Sequence, residues 1–116
     1  MDIQAIIFSV DAVNTKNGVP SMSEKTFFQL EKRGYKLAAV ETVKNEKISS
    51  QSDILLGTAR TLGVSAHKCA VVESAPFGID AAKSSGMTAI GIGGAGNYIF
   101  ADMCIGNISE LLDIFA

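Results

Sequence analysis

Residues 5–8 read Ala-Ile-Ile-Phe, four apolar side chains in a row behind Ile3 and Gln4. A strand with one face in water alternates polar and apolar positions, so this unbroken run marks a strand covered on both faces at the centre of a parallel sheet. Polar groups arrive only at its carboxyl end, in Ser9-Val10-Asp11-Ala12-Val13. Open α/β sheets bind ligands outside the carboxyl ends of their strands, which puts Ser9 and Asp11 where chemistry is done if any is done. Two apart on an extended segment, they are expected to point to the same side.

Four more strands are expected over 37–40, 69–72, 88–92 and 103–105, separated by helices. After a polar, turn-rich link at 14–20, Ser21-Met22-Ser23-Glu24 has the Ser-x-x-Glu form of a capping box, with Phe27, Phe28 and Leu30 as the apolar face of the helix it opens. Gly34 stops that helix behind Lys32 and Arg33, whose charges suit its negative end. Residues 44–52 are polar without periodicity and read as loop. A helix over 53–62 turns Ile54, Leu55, Ala59 and Leu62 inward and stops at Gly63. A further helix runs from the region of Pro76 to Gly86, and Asn107 caps the last one, docked through Leu111, Leu112, Ile114 and Phe115. Such alternation predicts a parallel sheet with right-handed crossovers, one domain over residues 1–116.

At 116 residues, 47% of them hydrophobic, the chain has enough for one core and too little for a core plus a separate lid. Net charge is −2 and the basic residues are scattered, which argues against a nucleic-acid partner. No apolar run approaches the ~20 residues of a membrane span and no signal segment opens the chain, so a cytoplasmic protein without a membrane partner is expected. Cys69 and Cys104 are read as buried, reduced small hydrophobes. With a single histidine, His67, read as an exposed loop residue, a zinc site is not expected. Gly91-Ile92-Gly93-Gly94-Ala95-Gly96 spells G-x-G-x-x-G, but it follows a late strand without a long helix after it and is read as flexible loop, whose amides suit an anion at most.

The opening strand, together with Val71-Val72-Glu73-Ser74-Ala75-Pro76-Phe77-Gly78-Ile79-Asp80-Ala81-Ala82-Lys83-Ser84-Ser85-Gly86-Met87, resembles the haloacid dehalogenase superfamily and within it the beta-phosphoglucomutase-like group. Those proteins open with Asp-x-Asp-Gly-Val and close with Glu-Asp-Ser-x-x-Gly-Ile-x-Ala-Ala-x-x-Ala-Gly-Met. The resemblance implies a three-layer α/β/α Rossmann-like domain, five strands in the order 2-1-3-4-5, with Ser9 and Asp11 beside Glu73 and Ser74. It also implies two missing pieces: the helical cap, replaced by a short link after Val13, and a helix and strand ahead of the third motif. The second strand is then left at the sheet edge, where a homodimer is the expected protection.

Enzymes of the family transfer phosphoryl groups through an aspartyl-phosphate, with magnesium offsetting the charge. At the nucleophile position the match is Ser9, and at the acid/base position Asp11; the glycine after it is Ala12. The phosphate-holding Ser or Thr corresponds to Glu41, with Thr42 one residue on, and the phosphate-neutralising Lys corresponds to Ser49, with Lys47 two residues upstream. The metal-binding Glu-Asp is Glu73-Ser74, so Asp11, Glu73 and Ser74 make at best a weak metal site. Gly78 and Ile79 are read as a helix start packed on the sheet, and the plainer role for Asp11 and Glu73 is to bond backbone amides or pair with a cation. The reading is a catalytically inactive relative serving as a binding or self-association module, without a cofactor. The alternative is a hydrolase or phosphomutase for a small phosphorylated metabolite, with Ser9 as nucleophile, Asp11 as base and magnesium as cofactor.

Overall fold

The computed structural model describes residues 2–13, 20–43 and 47–116. Five strands, β1 Ala5–Ser9, β2 Lys36–Val40, β3 Cys69–Glu73, β4 Thr88–Ile92 and β5 Met103–Ile105, form one parallel sheet in the order β2-β1-β3-β4-β5. Between them run α1 Val10–Val13, α2 Pro20–Lys32, α3 Ile48–Leu62 and α4 Pro76–Ser84, and α5 Leu111–Ile114 follows β5. The expected fold class and strand order are those observed. Every residue of β1 and β3 is buried, as a central strand requires.

The alternation of strand side chains divides the core into two layers. Ala5, Ile7 and Val71 meet Leu55 and Ala59 of α3 and Ile79, Ala81 and Ala82 of α4 on one face. Ile6, Phe8, Val72 and Ile90 meet Leu30 of α2 with Leu111 and Phe115 on the other, where the Phe8 and Phe27 rings pack edge to face 4.7 Å apart. Burying a large aliphatic side chain contributes about 1.5–3 kcal/mol, so these two layers are the main source of stability. Arg33 closes the second layer: its Nη1 donates to the carbonyls of Leu112 at 2.7 Å and Phe115 at 2.9 Å. Its charge thus serves the end of α5 as well as lying beyond that of α2.

Several expectations need correction. β1 does not run on in extended form to Asp11; the chain turns into α1 at Val10, because the buried sheet edge is reached at Ser9. Helix α2 begins at Pro20, whose fixed φ suits a first turn, so Ser21 lies inside the helix rather than capping it. The rest of the polar link read at 14–20 lies outside the described residues, as do residues 44–46 of the loop read at 44–52. From 48 onward that loop is helix α3, and two of its polar residues face inward: Gln51 and Ser52 are buried, with Ser52 Oγ donating to the Ala81 carbonyl at 3.0 Å. The inward stripe is Gln51, Leu55 and Ala59, spaced four apart, and it leaves Ile54 on the outside. Phe28 is exposed likewise, since Thr26 and Leu30 take the inner face, and its ring carries the Lys32 ammonium at 5.6 Å.

Cysteines divide. Cys69 is buried in β3, whereas Cys104 is exposed, because the edge strand β5 turns Ile105 inward and its neighbour out. Both are free thiols. His67 is exposed, in a 3-10 turn ahead of β3. Asn107 and Glu110 form a reciprocal capping box, but the turn they open is 3-10, Ile108–Glu110, before α5 begins. Among the described residues no helix is long and apolar enough to cross a membrane.

Candidate functional site

Parallel register brings three strand ends side by side: Phe8 stands level with Ala39 and Val72, and Ser9 with Val40. Ser9 closes β1, Thr42 lies just past β2, and Glu73 closes β3. Thr42 Oγ1 is 2.7 Å from Glu73 Oε2 and 3.2 Å from Ser9 Oγ. A hydroxyl has one hydrogen and a carboxylate only accepts, so Thr42 donates to Glu73 and accepts from Ser9. The other carboxylate oxygen, Oε1, accepts the N–H groups of Ser74 at 2.9 Å and Ala75 at 3.2 Å. Ser9 and Glu73 are 0% and 1% exposed, while Thr42 between them is half-buried.

Two further residues hold the cluster in shape. Gln51 reaches back from α3: its Nε2 donates to the Glu41 carbonyl and its Oε1 accepts from the Val43 N–H, both at 3.0 Å. One carboxamide thereby ties down the backbone on either side of Thr42 and fixes where its hydroxyl points. Gly78, third residue of α4, leaves room for the Glu73 side chain; a Cβ there would lie 2.0 Å from Oε2, 2.1 Å from Cδ and 2.2 Å from Cγ. The reading of Gly78 and Ile79 as a packed helix start agrees with their burial. Gln51 carried no signal beyond being a polar residue in a stretch without period.

Of the motif positions, Ser9, Thr42, Glu73 and the backbone of Ser74 come together. Glu41 and Ser49 do not: both are exposed, Glu41 after β2 and Ser49 in the first turn of α3, with exposed Lys47 just before that helix. Asp11 is exposed in the first turn of α1. The three residues expected to share a metal do not make an oxygen cage for magnesium, which takes six ligands in near-octahedral order. Both Glu73 oxygens are engaged by protein donors, Ser74 contributes its N–H, and among the described residues no three His, Cys, Asp or Glu gather to hold a metal ion.

The glycine-rich stretch borders this rim. Residues 93–95 form a 3-10 turn in place of flexible loop, folded back so that a Cβ at Gly91 would meet the Ala95 carbonyl oxygen at 2.0 Å. Away from the rim, Tyr98 donates to Asp80 at 2.8 Å, which with partial burial raises the phenol above its usual range.

Over 74 residues, 64% of this chain, the sequence is 38% identical to the beta-phosphoglucomutase of Bacillus subtilis. The chain is haloacid dehalogenase-like in sequence. The likeness is to the beta-phosphoglucomutase group, and the match spans 33% of the Bacillus enzyme's length. Its fold is shared with the beta-phosphoglucomutase of Clostridium difficile, with a TM-score of 0.65 at 21% identity over 84% of this chain and 54% of that one. It is shared too with the cobalt-bound deoxy-D-mannose-octulosonate 8-phosphate phosphatase of Haemophilus influenzae, at 0.74 and 15% over 98% and 87%. No protein-family model matches the sequence.

Proposed function

We propose that this chain is a non-catalytic, capless haloacid dehalogenase-like protein that works by binding or self-association. The observation that carries the reading is the state of Ser9. A phosphoryl acceptor has to meet its substrate and lose a proton to a base. Ser9 is wholly buried, and its hydroxyl is bonded to Thr42, itself a neutral hydroxyl already donating to Glu73. The exchange of Asp for Ser at the metal position, together with both Glu73 oxygens being engaged, supports the absence of magnesium chemistry. Only six residues separate Val13 from Pro20 in the sequence, too few for a helical cap.

Self-association is supported by β2, an edge strand whose Lys36 and Ala39 are exposed and whose outer side, among the described residues, pairs with no strand. Purified protein with magnesium and acetyl phosphate or an aryl phosphate is expected to release no phosphate above a Ser9→Ala control. Turnover abolished by that substitution overturns the non-catalytic reading. Sedimentation equilibrium at rising concentration is expected to give a dimer, and a monomer throughout removes the self-association.

A further inference from the structure

Among the described residues, the buried Glu73 carboxylate is held by neutral donors: the two backbone N–H groups just ahead of α4 and the Thr42 hydroxyl. The ion pairs among the described residues, Lys68 with Asp2 and Lys83 with Asp102, do not involve it. Successive amides at a helix start, assisted by the helix dipole and a hydroxyl, are how proteins grip free anions. Here the anion is part of the chain. We infer that Glu73 is a tethered ligand, filling from within an anion hole made by Ser74 N, Ala75 N and Thr42 Oγ1.

The path of the side chain supports this. It lies across Gly78, whose missing Cβ is the only reason three of its atoms fit there. The inference rests on the non-catalytic reading, since a carboxylate held in this way is not free for a metal. A tethered group competes at an effective concentration in the mM range or above. The natural chain therefore excludes small anions from this hole, and removing the tether opens it.

The test is rescue by formate, a carboxylate without a side chain. Glu73→Ala keeps the donors and removes the occupant. Its Tm is expected to fall below that of the natural chain and to rise by several degrees, saturably, in sodium formate relative to equal sodium chloride. The natural chain should show no such rise, and Thr42→Val in the Glu73→Ala background should lose most of it. No difference between formate and chloride in folded Glu73→Ala overturns the inference. Should that variant fail to fold, Glu73→Gln is measured instead: it keeps the volume but sets an NH2 against the donors, so a Tm equal to that of the natural chain overturns the inference and a lower one that formate does not restore supports it. The two readings fail separately. Phosphate turnover by the natural chain refutes the non-catalytic site, whereas absent rescue in a chain without turnover refutes the tethered carboxylate alone.

Discussion

Replacing Gly78 by alanine adds one methyl group at the place where the Glu73 side chain crosses α4. The added carbon would stand 2.0–2.2 Å from Oε2, Cδ and Cγ, more than 1 Å inside ordinary contact, and because Cγ is involved a rotation of the carboxylate alone is no relief. The whole side chain beyond Cβ has to leave, and its bonds from Thr42, Ser74 and Ala75 go with it. Hydrogen bonds to a charged group contribute about 1.5–3 kcal/mol each and are not additive, so losing this set costs roughly 3–5 kcal/mol. Alanine returns about 0.5–1 kcal/mol over glycine within a helix. The net expectation is a loss of roughly 2–4 kcal/mol, a large share of the 5–15 kcal/mol that a domain of this size possesses. Urea unfolding of the natural chain, Gly78→Ala, Glu73→Ala and the double variant measures it as a cycle. In the Glu73→Ala background the three atoms nearest the new methyl are gone, so Gly78→Ala should there cost far less, and at best stabilise by up to about 1 kcal/mol. An equal cost in both backgrounds refutes the reasoning, since the clash would then lie elsewhere than with Glu73.

Gln51→Glu keeps an acceptor for the Val43 N–H but, when ionised, sets an oxygen against the Glu41 carbonyl. It should be less stable than the natural chain at pH 7 and close part of that gap below about pH 5, where a protonated glutamate donates again; urea midpoints against pH follow it. Burial pushes the Asp102 carboxyl up, but the Lys83 hydrogen bond, the Ala89 N–H and the Lys83 charge outweigh it and hold the group below the usual carboxylate range. Its contribution is therefore present above the ordinary carboxylate pKa of about 3.9 and lost as pH falls through its lower native value; the stability gap between the natural chain and Asp102→Asn should hold from neutral pH to about 5 and shrink in acid. In native buffer a thiol reagent should modify Cys104 and spare Cys69, which is buried with its pKa raised by desolvation, until urea unfolds the chain. Equal native rates for the two thiols would contradict the placement of β3 in the core.

The parallel sheet was legible because an apolar run such as Ala5–Phe8 has few other uses, and turn residues separate the remaining strands. The rim was legible only in part. Ser9 and Glu73 end buried strands, so strand boundaries fixed their places, and Thr42 follows from the same count along β2. Position 49 was misjudged in kind, because α3 begins at Ile48 and carries Ser49 out to solvent on its first turn. That helix start was hidden by the rule that inward faces are apolar. Gln51 faces inward to serve backbone groups that lie eight and ten residues earlier, and such service leaves no period in the sequence. Phe28, Ile54 and Cys104 failed for the complementary reason: hydrophobicity names a candidate for the core, while the helix or strand phase decides which candidates reach it.

Gly91 shows how one spelling arises from two different needs. In a nucleotide fold the smallest residue is placed where a pyrophosphate must draw near; in β4 it is placed where the carbonyl of Ala95, four residues along the same chain, must do so. A pattern search rewards both equally, because it registers that space has been cleared and not who moves in. In this chain the guest is its own backbone.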